Sequence, residues 1–431
     1  MKNKYVFIIF LGVKNWLRYT RRPHYSPFNK FGQLIAVEAP FILFSTDHFK
    51  HFFKTFYNYF KISYKKRLDP RNGTIIIRPF LLFPQGLKSK FNFLKSLDSI
   101  ALDLQLNKYI HKGQNKVYFL TSYWQEFIVH DKNSEILRVL DVNDEWSMLG
   151  YNDSKRDKIE NEVRNLISKV NIVTTVTIQL KNKYDQGDKV YYLPNAVDIT
   201  HYVPKFDNLI IKVNEVDIDK KSDLRLLERK KNDSKLFTKD LSVFEKLDKP
   251  IVGSISGFGG NWSDFDFMYK VEKLLPNKFT LISSGNIFSP SRSEFKEEYI
   301  KYLNDHKMIF LGHVDYSILP EFLSNLNVGI VMHRMDEFNT HSAPNKIWAY
   351  LAMGLPVVST NFYNKADKDI FEGLVYFAKT PNEYCDYIVK SMEEDDLNLK
   401  IKRRELAIKN STENRAAKIY HLINQYYDNK K

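Results

Sequence analysis

A glycine-rich segment in the second half of the chain has the composition of a phosphate-binding turn. It reads GSISGFGGNW (253–262) and stands between an apolar run and an amphipathic stretch near residues 264–275. Glycines between a strand and a helix let backbone N–H groups approach a pyrophosphate, so Gly257 and Gly259 are candidate phosphate-binding residues. The spacing matches neither GxGxxG nor GxxxxGK[ST]. The alternative is a plain turn, with Asp264 as the N-cap of the following helix.

A second segment reads SAPNKIWAYLAMGLPVVST and places a lysine at the start of a predicted helix. Ser342 and Pro344 are typical of a helix start, and Gly354 with Pro356 ends the helix before an apolar strand. Lys346 falls in the first turn, where its ammonium group and the neighbouring amides would together hold a diphosphate. Spacing alone also allows Lys346 to be a solvated charge.

A third candidate is a loop at the end of an apolar run. In FLGHVDY (310–316) a strand is predicted to end at Gly312, so His313 and Tyr316 fall on the loop at its carboxyl end. Loops at this end of parallel strands bind ligands in α/β proteins, and these rings would suit a nucleobase. A surface loop that caps the next helix is the alternative.

Carboxylates and a histidine in the first half are candidates for proton transfer. Asp141, Asp144 and Glu145 follow a predicted strand, at the end where catalytic groups collect. Asp144 is the first candidate for a general base, and His24 is the second because its ordinary pKa lies near neutral pH. The structural alternative is that Asp141 or Asn143 caps the next element.

The stretch HFKHFFKTFYNYFKISYKKR (48–67) contains no acidic residue. On a helix its phenylalanines share one face and its lysines line a neighbouring stripe. This pattern is typical of a helix on an anionic bilayer, and also of an amphipathic helix whose Phe face packs on a sheet. The candidate residues for acceptor and membrane contact are Arg22, Lys50, Phe53, Lys54 and Lys61. A shorter run with Lys88, Lys90, Phe91, Phe93 and Lys95 extends the pattern.

Two series of apolar runs, with helical stretches between them, must position these residues. Continuous apolar runs are typical of strands covered on both faces, which predicts two α/β units with parallel sheets. We expect a first domain at 1–204, a charged connector at 205–249, a second domain at 250–411, and a closing helix at 412–428 that packs on the first domain. The predicted strands are 5–11, 34–37, 74–77, 116–120, 138–140, 172–175 and 190–193, then 251–254, 279–283, 308–311, 328–332, 356–359 and 374–377.

Composition narrows the classes of protein. The 431 residues carry 65 basic and 51 acidic side chains, a formal charge of +14, which favours partners with phosphates. Cys385 is the single cysteine and excludes a disulfide framework and a cysteine-based zinc site. The acidic pairs Asp217–Asp219 and Asp264–Asp266 are expected to be surface or capping residues, so no metal is expected. No apolar run has the length of a spanning helix.

The ordered set of motifs resembles GT-B glycosyltransferases, most closely the bacterial family-1- and family-4-like enzymes that build capsule, exopolysaccharide or related polymers. The similar segments are Trp16 with RRPH (21–24), DVNDEW (141–146), LPNAVD (193–198) with Tyr202 in place of Phe, and the segment from Ser342 to Thr360. No single motif carries the resemblance; their order along residues 5–380 does.

The resemblance implies two Rossmann-like domains whose parallel sheets face a central cleft, with the acceptor in the first and a UDP- or GDP-linked sugar in the second. It also implies that side chains and helix amides neutralise the donor diphosphate without metal or other cofactor, and that Lys346 contacts it. Many relatives carry glutamate where Ala349 stands, and some carry another at the position of His341. The residues that would replace those hydrogen bonds are Tyr316, Glu337 and Asn345.

The expected function is therefore sugar transfer to a glycan or polyprenyl-diphosphate-linked acceptor in surface polysaccharide synthesis. The expected place is the cytoplasm, peripheral to the anionic inner face of the cell membrane. Ala349 suggests the alternative of a noncatalytic relative that binds nucleotide or glycan within a polysaccharide assembly. A nucleic-acid partner would suit the charge, but we find no nucleic-acid-binding module in the sequence.

Overall fold

The computed structural model divides the chain into two compact units. Unit 1 comprises residues 1–195, 341–343 and 412–431, and unit 2 comprises residues 196–340 and 344–411. The structure describes residues 4–11, 16–18, 22–42, 67–83, 85–88, 90–129, 135–149, 153–185, 187–204, 241–255, 257–285, 287–290, 293–312 and 314–430.

Unit 1 is built on a sheet of eight strands. The strands of this unit are β1 (Tyr5–Phe10), β2 (Gln33–Val37), β3 (Phe41–Ile42), β4 (Arg67–Leu68), β5 (Ile75–Ile77), β6 (Phe80–Leu81), β7 (Asn115–Leu120), β8 (Leu137–Val142), β9 (Ile172–Thr175) and β10 (Val190–Tyr192). The main sheet has the order β10-β9-β8-β7-β1-β2-β5-β4, and β3 pairs with β6 separately. All pairings in the main sheet are parallel except that of β4 with β5.

Helices connect these strands, as parallel pairing requires. They are α1 (Arg22–Tyr25), α2 (Gln85–Lys88), α3 (Asn92–Leu106), α4 (Asp153–Lys169) and α5 (Ile178–Tyr184). Short 3-10 helices occupy Trp16–Arg18, Ser26–Lys30, Asn107–Tyr109, Tyr123–Val129 and Trp146–Leu149.

Unit 2 contains a fully parallel sheet of six strands in the order β13-β12-β11-β14-β15-β16. The strands are β11 (Ile251–Ser254), β12 (Thr280–Ser283), β13 (Ile309–Phe310), β14 (Val328–Val331), β15 (Val357–Thr360) and β16 (Val375–Ala378). The helices are α6 (Phe265–Leu274), α7 (Lys296–Asn304), α8 (Leu319–Leu323), α9 (Glu337–Thr340), α10 (Asn345–Ala352), α11 (Lys365–Asp369), α12 (Pro381–Glu393) and α13 (Leu397–Lys409). Short 3-10 helices occupy Ser242–Lys246, Ser293–Phe295 and Tyr316–Ile318.

The last helix, α14 (Thr412–Asp428), belongs to unit 1 although it follows unit 2 in the chain. Its apolar face, with Ala416, Ile419 and Ile423, is buried in the same core cluster as β1. The Tyr5 hydroxyl donates to Asn424 Oδ1 at 2.7 Å, which ties the first strand to the last helix.

The thirteen predicted apolar strands are all confirmed within about two residues at their ends. The strands that sequence reasoning missed, β3, β4 and β6, have two residues each and leave no apolar run to recognise. Of the predicted connector at 205–249, residues 205–240 lie outside the described residues, and Phe244 near its end is buried in the core of unit 2. Among the described helices, none is both long enough and apolar enough to cross a membrane.

Candidate functional site

The strand order of unit 2 has one switch point, between β11 and β14. Strands β12 and β13 lie on one side of β11, and β15 and β16 lie on the other side of β14. The loops that leave the two central strands therefore diverge and open a crevice at their carboxyl ends, where open α/β sheets bind ligands. The glycine-rich segment follows β11, His333 follows β14 closely, and α10 begins at this edge of the sheet because it leads into the next parallel strand.

Gly259 in the glycine-rich segment is closely packed. Gly259 has φ of +148°, and a Cβ built on it would stand 2.4–2.6 Å from atoms of Phe288. Its amide donates to Ser263 Oγ at 2.8 Å, and Ser263 forms a bridge with His333 at the end of β14. The turn is therefore fixed to both central strands, and Asp264 caps α6 by accepting from the Phe267 amide at 3.0 Å.

Helix α10 presents Lys346 to this crevice. Tyr350, one turn after Lys346, packs on Gly329 of β14, where a Cβ would stand 2.6 Å from the tyrosine ring. The Tyr350 hydroxyl accepts from the Ile255 amide at 3.0 Å. Residues four apart share a helix face, so Lys346 also faces the sheet, and its Nζ lies 5.7 Å from the centre of the Phe258 ring in the glycine-rich turn.

Burial reduces the solvation of two basic side chains at this edge of unit 2. It lowers the pKa of Lys346 to about 8, because the charged ammonium loses solvation. His333 is 8% exposed, and burial together with the charge of Lys346 lowers its pKa well below the usual value. Within the described part of the chain, His333 Nδ1 has no hydrogen-bond partner. A neutral imidazole and an ammonium group of low solvation suit a polar, anionic ligand.

The other predicted donor residues have diverse positions. Asn345 is exposed at the first position of α10, and Glu337 is exposed on α9. The Tyr316 ring stacks on His201 with ring centres 3.9 Å apart. Gly257 lies in the fixed turn after β11, and His313 lies outside the described residues. Ala349 is buried within the core cluster of unit 2, so the environment of this position is apolar.

The three acids around the end of β8 in unit 1 differ in environment. Asp141 is buried and accepts from Tyr25 and Thr174, and it forms an ion pair with Arg415 at 2.7 Å. Glu145 is buried and accepts from the hydroxyls of Ser147 and Tyr184 at 2.6 and 2.9 Å, with Lys183 Nζ at 3.1 Å. Asp144 is exposed. Asp141 and Glu145 are thus held in buried hydrogen-bond networks, whereas Asp144 is exposed to solvent.

Ser342, predicted as a donor residue, belongs to unit 1, where its Oγ lies 3.4 Å from Asp144 Oδ1. The carbonyl of the next residue, Ala343, accepts from the Asn195 side chain at 2.6 Å. The second candidate base, His24, is 3% exposed. Arg22 Nη1 lies 3.8 Å from Asp69, a buried carboxylate.

A small, largely apolar cavity of about 10 Å³, room for about one water molecule, lies at the carboxyl edge of the unit 1 sheet, near the switch between β1 and β7. Its polar lining residues are Glu38 and Gln125, and Trp124 contributes an aromatic wall. Gln125 is fixed by donating to the Phe10 carbonyl at 3.0 Å.

Sequence reasoning missed two residues that the structure makes prominent. His333 directly follows the predicted strand 328–332, so a polar ring at the carboxyl end of a strand was a usable signal. Arg415 gave no signal, because its partner Asp141 lies 274 positions away. Lys50, Phe53, Lys54 and Lys61 lie outside the described residues. Among the described residues, no cluster of three or more His, Cys, Asp or Glu side chains could hold a metal ion.

Two units with parallel sheets of this order define the GT-B fold of glycosyltransferases. Within the chain, residues 249–394 match the family of glycosyl transferases group 1. This region holds the glycine-rich turn, His333 and Lys346. Two expectations from the sequence are therefore confirmed: the GT-B fold and the general activity of a glycosyltransferase.

Solved structures with the same fold cover nearly the whole chain at low identity. Sucrose-phosphate synthase from Thermosynechococcus elongatus has a TM-score of 0.59 and 12% identity, covering 98% of this chain and 99% of its own. Anabaena HepE in complex with UDP and glucose has a TM-score of 0.60 and 10% identity, covering 98% and 100%. An alpha,alpha-trehalose-phosphate synthase (UDP-forming) from Burkholderia xenovorans in complex with glucose-6-phosphate has a TM-score of 0.57 and 10% identity, covering 97% and 99%. No curated protein matches the sequence significantly.

Proposed function

We propose that this protein transfers a sugar from a nucleotide-sugar donor, UDP- or GDP-linked, to a hydroxyl of a glycan or lipid-linked saccharide. The observation that carries the proposal is the position of Lys346. Its ammonium group lies at the switch point of the unit 2 sheet, 5.7 Å from the Phe258 ring in the glycine-rich turn, at the start of α10. Among the structures with the same fold, that of HepE contains bound UDP. The trehalose-phosphate synthase is a UDP-forming enzyme.

In this proposal the donor diphosphate is neutralised by protein groups alone. The ammonium of Lys346 and the first-turn amides of α10 face the phosphates, and both favour negative charge. The charge that develops on the leaving diphosphate is then stabilised where it forms, with no need for a divalent cation. His333 is neutral near pH 7, because its pKa is lowered, and would hydrogen-bond a hydroxyl or phosphate oxygen of the donor.

The transfer breaks the bond between the anomeric carbon and the diphosphate oxygen and forms a bond from that carbon to the acceptor oxygen. In an inverting reaction the acceptor proton passes to a carboxylate. Asp144 is the candidate, because it is the exposed acid after β8 while Asp141 and Glu145 are held in buried networks. In a retaining reaction the proton passes to the leaving diphosphate, and Asp144 has no such role.

In this proposal the acceptor binds unit 1, as the resemblance to GT-B glycosyltransferases implies. We place the reaction in the synthesis of a bacterial surface polysaccharide, with a polyprenyl-diphosphate-linked glycan as acceptor. The motif order along the chain supports that assignment.

Donor binding provides the test. UDP- and GDP-sugars would be screened by calorimetry against the unaltered protein and Lys346→Ala. Loss of the ammonium should weaken binding of the preferred donor by about 30- to 100-fold, which is the effect of removing a charge-assisted hydrogen bond of roughly 2–3 kcal/mol. Lys365→Ala is the matched control, because Lys365 is an exposed lysine in the first turn of α11 in the same unit. Equal affinity in both variants would remove Lys346 from the donor site.

Turnover separates the catalytic proposal from the noncatalytic alternative. Asp144→Asn should reduce kcat by about 10²–10⁴ with unchanged donor affinity if Asp144 is the base, and the exposed Asp185→Asn should have no effect. Robust turnover by the unaltered protein excludes a noncatalytic role. Donor binding without turnover, with turnover gained in Ala349→Glu, would establish it.

A further inference from the structure

Helix α3 in unit 1 has an unusual distribution of side chains. Phe93, Leu97, Ile100 and Leu104 are 63, 42, 58 and 66% exposed. Their spacing of four, three and four residues places them on one face, so they form a continuous apolar stripe over three turns. Phe91, 50% exposed, extends this stripe beyond the start of the helix, with its ring centre 6.3 Å from that of Phe93.

The buried face of the same helix combines Leu94, Leu102 and Leu106 with polar side chains. Asp98 and Ser99 are almost inaccessible, and Lys95 is 7% exposed. Asp98 accepts from the Leu82 amide at 2.6 Å and forms an ion pair with Lys88 at 3.0 Å. An ordinary surface helix directs its apolar side chains inward and its charges outward. On α3 the exposed side chains are apolar and buried charges are paired inside, which marks the outer face as a contact surface.

The charged residues in the segment that carries the stripe are mostly basic. Residues 85–116 contain six lysines and two aspartates, and both aspartates are engaged by groups of unit 1. Asp98 is paired with Lys88, and Asp103 accepts from the Tyr118 hydroxyl at 2.8 Å. Lys90 and Lys112 are exposed beyond the two ends of α3. The stripe is therefore an apolar surface flanked by positive charge.

We propose that the α3 stripe lies on the surface of an anionic lipid bilayer, with its apolar side chains among the acyl chains and the flanking lysines at the lipid phosphates. Charge complementarity selects this occupant, because an apolar stripe bordered by lysines is the pattern of interfacial helices and lysines near such a surface are attracted to it. The inference rests on the proposed function for its role, which is to hold the enzyme where a lipid-linked acceptor resides. The binding itself requires no turnover.

Flotation of the full chain with vesicles tests the inference. The protein should float with vesicles of phosphatidylglycerol and phosphatidylcholine, and not with phosphatidylcholine alone, and added salt should weaken binding. Ile100→Glu should reduce the fraction bound by about tenfold or more, because it places a carboxylate within the apolar contact. Ile300→Glu is the matched control, since Ile300 is 55% exposed on α7 in unit 2, and it should bind as the unaltered protein does.

Other outcomes overturn the inference. The first is that the full chain does not float with anionic vesicles, and the second is that the two variants float equally. The third is a dimer in solution that Ile100→Glu dissociates without altering flotation, because a second copy of the chain would then cover the stripe. Donor affinity in solution is measured on the same variants without lipid. Failure of flotation with normal donor binding rejects the membrane surface alone, whereas normal flotation without donor binding rejects the proposed transferase.

Discussion

At the carboxyl edge of the unit 1 sheet, buried carboxylates are matched by cations from the same unit. Glu38 is paired with Arg67 and Arg78 at 2.5 and 2.9 Å, and Asp141 with Arg415 at 2.7 Å. At the same edge of unit 2, the prominent groups are Lys346 and His333, whose pKa values are lowered by burial. The buried carboxylates of unit 1 are therefore held in ion pairs within that unit, whereas the basic groups at the unit 2 edge have lowered pKa values because they lose solvation.

The difference suggests a division of work between two similar sheets. A group whose charge is already satisfied contributes to stability and geometry, and one held in a poorly solvated site is available to a ligand. By this criterion Asp141 and Glu145 are structural, and the proposal assigns donor binding to Lys346. Asp144 is the exposed acid between the two structural ones, which is why it stays the candidate for chemistry.

Removal of a satisfied charge should have the largest effect. Arg415→Ala leaves Asp141 buried without its cation and should lower the free energy of unfolding by about 3–5 kcal/mol. Both side chains are almost fully buried, at 2 and 1% exposure. Thermal unfolding followed by circular dichroism measures the change.

Arg164→Ala is the control for this prediction. Arg164 is paired with Glu160 at 2.8 Å, but the side chains are 40 and 30% exposed, so its loss should cost only about 0.5 kcal/mol. Equal destabilisation by the two substitutions would show that burial does not distinguish these pairs, and the comparison between the two edges would fail.

Crowding beneath Lys346 should have an intermediate effect. Gly329→Ala presses a methyl group against the Tyr350 ring, where the added Cβ would stand 2.6 Å away, and should destabilise by about 1–3 kcal/mol. Because Tyr350 and Lys346 lie on one face of α10, donor affinity should fall as well. Calorimetry with the preferred donor measures it.

Gly253→Ala provides the matched comparison. A Cβ at Gly253 on the neighbouring strand β11 would stand 2.7 Å from Leu326 and 2.9 Å from Ile282, side chains that lie outside α10. It should destabilise to a similar degree with little change in donor affinity. If both glycine variants lose donor affinity equally, the position of α10 is not what the substitution disturbs.

Parts of this comparison could be predicted from the sequence. The buried parallel strands can be predicted because they are continuous apolar runs. Lys346 lies at a helix start that the sequence also predicts. The pairing of Asp141 with Arg415 could not be predicted, because it joins β8 to a helix near the end of the chain through the tertiary fold. Periodicity also cannot tell that Ile100 and Leu104 face outward, since an apolar stripe on a helix ordinarily faces the core.

The pH dependence of donor binding is the finest test of the unit 2 edge. Burial lowers the pKa of Lys346 to about 8, so the ammonium is charged below this pH and loses its proton above it. Donor affinity should therefore be full at pH 7 and fall by up to about tenfold for each pH unit above 8. In Lys346→Arg the guanidinium stays charged, so whatever affinity this variant retains should be constant from pH 7 to about 10. Calorimetric titrations of both proteins across this pH range test the prediction. If donor affinity declines in the same way in Lys346→Arg, the group that loses its proton is not Lys346.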